Sequence, residues 1–67
     1  MFQYIFAENL CRICTEKHIS INQLADSIEK SPRQISRYRN AQCENLSLGT
    51  IEKIAQVLQV SVVELLS

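Results

Sequence analysis

The chain has 67 residues, seven basic and seven acidic side chains that cancel to a formal net charge of zero, 46% hydrophobic residues, one Gly and one Pro. A chain of this length makes one domain at most and buries only about 60% of its unfolded surface, so residues 1–67 are read as a single packed domain rather than a disordered segment. The scarcity of Gly and Pro argues against a sheet built on tight hairpins, and the neutral total argues against a general polyanion binder.

The first helix is expected from about Phe2 to Lys17, because Phe2, Phe6, Leu10 and Ile13 recur at helical spacing and build one apolar stripe. Tyr4, Ile5 and Cys11 fall off that stripe and offer a partner surface or ordinary exposed apolar groups. Glu8 and Arg12 interrupt the apolar start, no basic leader precedes it, and it is too short to span a bilayer. Neither a signal peptide nor a membrane segment is expected there. The chain therefore reads as cytoplasmic, with Cys11, Cys14 and Cys43 as reduced thiols.

His18-Ile19-Ser20 breaks the period. Ser20 is placed to cap a second helix, with Gln23 as its capping-box partner three residues on. That helix carries Leu24, Ala25 and Ile28, and Glu29-Lys30 make the turn after it. Ser31 then caps a third helix whose first residue is Pro32, where the missing N–H costs nothing and φ is already set. Ile35 and Tyr38 are expected to point inward, and Arg33, Gln34, Ser36 and Arg37 outward. After a polar connection at Asn40–Leu46, Ser47 caps a fourth helix, Leu48–Gln59, with Ile51, Ile54, Ala55 and Leu58 on one face. Gln59-Val60 interrupts, and Ser61 with Glu64 reads as a capping box for a last turn ending in Leu65-Leu66.

Charge is unevenly distributed along these elements. Lys30, Arg33, Arg37 and Arg39 fall between Lys30 and Gln42 with no acidic residue among them, so the field is local although the total cancels. A short helix presenting Arg33, Gln34, Ser36 and Arg37 is suited to reading base edges in the major groove, where Arg pairs bidentately with guanine. The alternative is a solvated face on which Arg33 and Arg37 pair with Glu29 or Asp26. Gln34 is suited either to adenine or to bracing an Arg, and Tyr38 to the core with its hydroxyl at the edge.

Two further chemistries need weighing. Cys11, Cys14 and His18 fall at spacings that share a helix face, and Cys43 would complete a tetrahedral zinc set. Most zinc pairs sit on knuckle turns instead, and Cys also serves as a small buried apolar residue. A Cys11–Cys14 regulatory disulfide is the redox form of the same idea. Enzymatic function has almost no support: there is one His, no clustered carboxylate pair, and no phosphate-cradling loop with a single Gly. No cofactor is expected.

The order of these elements resembles the phage-repressor and Cro-like (lambda-repressor-like) helix-turn-helix domains over roughly Leu10–Leu66. Leu24-Ala25, the spacing from Ala25 to Ile35-Ser36-Arg37 and the closing run IEKIAQVLQVSVVELL carry the resemblance. It implies an all-α, compact five-helix domain whose second and third helices form the helix-turn-helix. It also implies that Pro32, Arg33, Ser36 and Arg37 face base edges with Gln34 close by, and that Ser31, Asn22, Gln23, Asn40 and Gln42 lie near phosphates.

Departures from the family pattern are specific. Ile21 stands where a Gln is usual, Glu29 where a Gly is usual, and Pro32 at a position often held by a base-reading side chain. The family's Arg in the first helix and its Glu partner at the end of the third are replaced by Cys14 and Arg39. Arg39 is then expected to be free for phosphate, with Glu44 as a competing partner. The implied function is a sequence-specific transcriptional regulator, a repressor binding double-stranded DNA at a palindromic operator as a homodimer. The Val60–Leu66 segment and the aromatic N-terminus are the candidate dimer surfaces. The rival from another class is a protein-interaction module, an antitoxin or adaptor with a protein partner on the same fold.

Overall fold

Five helices in chain order, α1 (Phe2–Glu16), α2 (Ile21–Ser27), α3 (Pro32–Arg39), α4 (Leu48–Leu58) and α5 (Val62–Leu66), make up the computed structural model, which describes residues 2–43 and 46–67. The fold is all-helical, as the sequence predicts, with no strand among the described residues. No helix among them is long and apolar enough to cross a membrane.

Four serines start four helices. Ser20, Ser31, Ser47 and Ser61 each take an extended backbone and accept a hydrogen bond on Oγ from the N–H three residues on. This satisfies one of the donors that a helix start leaves open. The boxes at Ser20–Gln23 and Ser31–Gln34 are reciprocal, with the glutamine Oε1 accepting from the serine N–H at 2.8 Å and 3.3 Å. The box expected at Ser61–Glu64 forms only by half. Ser61 Oγ accepts from the Glu64 N–H at 3.1 Å, and the Glu64 carboxylate does not return the bond. An exposed carboxylate there keeps its hydration and still gains from the helix dipole without direct contact.

The helix ends were not legible in the same way. His18 (φ 56°), Glu29 (φ 58°), Ala41 (φ 64°) and Gln59 (φ 57°) all take the left-handed conformation. Each is followed by an N–H that closes back on the helix: Ile19 on Cys14 O at 2.9 Å, Lys30 on Ala25 O at 2.9 Å, Gln42 on Arg37 O at 2.8 Å and Val60 on Ala55 O at 3.0 Å. These are Schellman closures built without glycine. The single glycine, Gly49, lies inside α4.

The core joins the fully buried Phe6 and Leu10 of α1, Leu24 of α2, Ile35 of α3, Ile54 and Leu58 of α4 and Leu65 of α5. Helix α1 packs against both α3 and α5, α2 against α3 and α4, and α4 against α5. The Phe6 and Tyr38 rings meet edge-on, with centroids 6.4 Å apart and planes at 71°. Asn9 Nδ2 donates to the Leu65 carbonyl at 2.9 Å, satisfying a carbonyl at the end of the short α5 and tying the two ends of the chain together. Tyr4 and Ile5 are exposed, as the stripe predicts. The side chain of Phe2, the first member of that stripe, lies outside the described residues.

Glu29 is exposed and left-handed in the turn between α2 and α3, so it carries the strain of a Cβ in that region, about 1–2 kcal/mol. Glu29→Gly removes the strain and gives back part of the gain as unfolded-chain entropy. The expected net effect is about 0.5–1 kcal/mol of added stability, a thermal midpoint raised by about 2–8 °C. Circular-dichroism melting checks this, and an unchanged or lower midpoint contradicts it.

Candidate nucleic-acid interface

Helix α3 has two faces of different chemistry. Ile35 and Tyr38 are buried, whereas Pro32, Arg33 and Arg37 are exposed and Gln34, Ser36 and Arg39 are half-buried. Tyr38 is therefore a core residue, as expected. The start of α2 lies beside this face. Ser20, Ile21 and Asn22 line an open groove of about 630 Å³ together with Pro32, Arg33, Ser36 and Arg39. The structure thus brings together Asn22, Pro32, Arg33, Ser36 and Arg39 from the sequence-predicted set. Arg37 lies on the exposed side of α3 without lining the groove, and Asn40 and Gln42 are exposed beyond its C-terminal end.

Arg33 and Arg37 make no ion pair with any described residue. The ion pair present among those residues is Arg12–Glu16, one turn apart on α1 at 3.2 Å. The pairing of Arg33 and Arg37 with Glu29 or Asp26 that a bland charged face would require is not formed. Both guanidinium groups are exposed, and no described residue takes up their donors.

Capping fixes what the other polar residues can offer. Gln23 and Gln34 use Oε1 within their boxes, which leaves the amide NH2 of each as the available donor. Among the described residues Gln34 makes no hydrogen bond to an Arg, and bidentate adenine contact would draw on the same Oε1 that the box uses. The N–H of Gln23 goes to Ser20 Oγ at 3.1 Å and that of Gln34 to Ser31 Oγ at 3.3 Å. Pro32 has no N–H at all. The helix-start donors left for a phosphate are the N–H groups of Ile21, Asn22 and Arg33. The Asn40 and Gln42 N–H groups are spent on Arg37 O at 3.0 Å and 2.8 Å, so only their side chains remain for contact. Ile21, the apolar departure from the family pattern, packs against the core edge and gives the groove an apolar wall.

One expectation needs correction. Arg39 is not free: its Nε donates to Cys11 Sγ across 3.3 Å, bridging the end of α3 to α1. That bond pushes the Arg39 guanidinium above its ordinary value. The sequence offered only an indirect signal, the joint replacement of the family's Arg–Glu pair, and it pointed to Cys14 rather than to Cys11 one turn earlier. Glu44, the expected competitor for Arg39, lies outside the described residues. The alternative zinc set is not assembled among the described residues. Cys11 is half-buried and Cys14 buried on α1, while His18 is exposed past the helix end in a left-handed backbone. Among the described residues no three His, Cys, Asp or Glu side chains converge to hold a metal ion.

Burial pushes the Cys14 thiol up, opposed by the Arg39 guanidinium and reinforced by Cys11. Burial also raises the Tyr38 phenol, with Cys43 adding to it. Both groups hold their proton more tightly folded than unfolded. Their contribution is complete below the ordinary thiol value of 9.0 and is lost as pH rises beyond it, with Tyr38 following beyond 10.0. The urea unfolding free energy is expected to fall between about pH 8 and about pH 10.5, more steeply for the parent than for Cys14→Ala. Parallel profiles for the two proteins contradict the assignment to Cys14.

Comparison with known proteins agrees with this geometry. The family model described as a Cro/C1-type HTH DNA-binding domain matches residues 9–67. A solved structure described as the crystal structure of apo-HppE is 25% identical, with a TM-score of 0.88, over 94% of this chain and 35% of that one. The chain therefore spans about a third of the length of that solved structure. No curated protein matches the chain.

Proposed function

The chain belongs to the Cro/C1-type helix-turn-helix DNA-binding family, and from that premise we propose that residues 1–67 act as a single DNA-binding domain of a transcriptional repressor that binds double-stranded DNA through α3. One observation carries the reading. Arg33 and Arg37 stand exposed and without carboxylate partners among the described residues, on a helix whose opposite face is locked into the core. In the major groove such side chains pair with guanine O6 and N7, at about 1–3 kcal/mol of discrimination each. Ser36 and Pro32 lie along the same face, and Pro32 offers an apolar contact to a thymine methyl. Asn22, Gln23 and Ser31 are assigned to the phosphates on one side of the groove. Asn40, Gln42 and the outer nitrogens of Arg39 are assigned to those on the other.

A domain this small with few phosphate contacts binds weakly alone at physiological salt. We therefore assign a homodimer on a palindromic operator, repressing by occlusion, with no catalytic step and a cytoplasmic location. Exposed Tyr4 and Ile5 on α1 and Val63 on α5, two helices that pack together, favour the N-terminal and C-terminal dimer surfaces. The same exposed apolar residues favour the second reading, an adaptor or antitoxin holding a protein partner.

Selection from a random duplex pool at about 0.1 M salt is expected to enrich a two-fold-symmetric sequence with half-sites about 34 Å apart. The Arg33→Ala/Arg37→Ala double variant is expected to lose that enrichment. Each Arg that contacts phosphate rather than a base should lower the salt slope by about one unit when removed. No enrichment, or a double variant that behaves as the parent does, contradicts the reading. Retention of a protein complex by the double variant identifies the adaptor function instead.

A further inference from the structure

We propose that Ile21 and Pro32 together select a thymine in the half-site by seating its 5-methyl group. The inference rests on the DNA-binding reading above and names the base that this face takes beside Arg33.

Ile21 is the first residue of α2 and Pro32 the first of α3. The packing of α2 on α3 brings both onto one open groove of about 630 Å³, with Asn22, Arg33, Ser36 and Arg39. Pro32 is exposed. Ile21 is half-buried: it packs against the core edge and still lines the groove. Pro32 serves its helix start and Ile21 the core edge, but neither role accounts for two apolar residues on the wall of a groove that also carries two cations.

The chemistry of that wall limits its occupant. Arg33 and Arg39 are donors only, and among the described residues no carboxylate lines the groove. Asp26 lines a separate hollow with Lys30, which shares Asn22 and Pro32 with the groove. The wall therefore suits an anionic, acceptor-bearing surface that also carries an apolar group. In the major groove the thymine edge has that pairing, an O4 acceptor next to the C5 methyl. No other standard base places an apolar group there. Guanine O6 and N7, adenine N6 and N7 or cytosine N4 set against Ile21 and Pro32 would lose water and gain no partner. 5-Methylcytosine carries the same methyl, but it sets an N4–H2 donor toward Arg33 and Arg39 where thymine sets an acceptor. Ile21 thus turns a departure from the family pattern into a base contact.

The test starts from the duplex recovered by selection at about 0.1 M salt. Each thymine of the half-site is replaced in turn by deoxyuridine, each cytosine by 5-methylcytosine, and affinity is read by fluorescence anisotropy. One thymine is expected to respond, with binding about fourfold weaker once its methyl is removed, the worth of one buried methyl-sized group. In Ile21→Gln and in Pro32→Ser the thymine and deoxyuridine duplexes should bind nearly alike. Circular-dichroism melting checks that Ile21→Gln is folded, and Pro32→Ser, at an exposed position, decides the matter if it is not. The proposal is overturned if no thymine responds, if both variants lose as much as the parent on methyl removal, or if only a 5-methylcytosine changes affinity. A selected site that Arg33→Ala/Arg37→Ala loses, but that is indifferent to deoxyuridine, overturns this inference and leaves the DNA-binding reading standing. No enrichment at all overturns both.

Discussion

Everything proposed for α3 depends on the burial of Ile35 and Tyr38. An eight-residue helix has no stability of its own in water. It forms because these two side chains enter the core, where Tyr38 meets the edge of Phe6 on α1. Anchoring one face also determines the other. Pro32, Arg33 and Arg37 are held outward by the same registry that holds Ile35 inward, and the Ser31–Gln34 box pins the first turn. The start of α2 is brought alongside by a turn in which Glu29 accepts a left-handed backbone. The groove between Asn22 and Arg33 is thus a product of packing rather than of any contact across it.

Local signals accounted for most of the fold. The serine caps, the proline after Ser31 and the apolar spacing of α1 and α4 are short-range rules, and each marks its helix start in the structure. The helix ends follow a rule whose usual marker is glycine, and this chain has none at those sites. Its four left-handed caps are His18, Glu29, Ala41 and Gln59. They hold because a closing hydrogen bond and, at Ile19 and Val60, packing of the next residue against the core outweigh the strain. Nothing in those residue types announces the conformation. The Cys11–Arg39 contact was illegible for a different reason. It joins positions 28 apart in sequence, and only the packing of α1 on α3 brings them together.

The candidate site was legible as a set of residues but not as a division of labour. Gln23 and Gln34 read equally as caps and as ligand contacts from sequence. In the structure their carbonyl oxygens are committed to the caps, and their amide donors are what remains. A neutral chain can therefore present a donor-rich face: Gln23 and Gln34 each give an acceptor site to a cap, while no described carboxylate pairs with Arg33 or Arg37. The replacement of a family ion pair by the Arg39–Cys11 bond follows similar logic. A half-buried thiol satisfies a guanidinium N–H without the desolvation cost of bringing a carboxylate in beside it.

Amide chemical-shift mapping on the isotope-labelled chain, titrated with the duplex recovered by selection, tests the central claim most directly. The account predicts perturbations concentrated at Ser20–Gln23 and Ser31–Gln42, with Arg33 and Arg37 among the largest. Perturbations confined to α5 and the start of α1, with α3 silent, would contradict it.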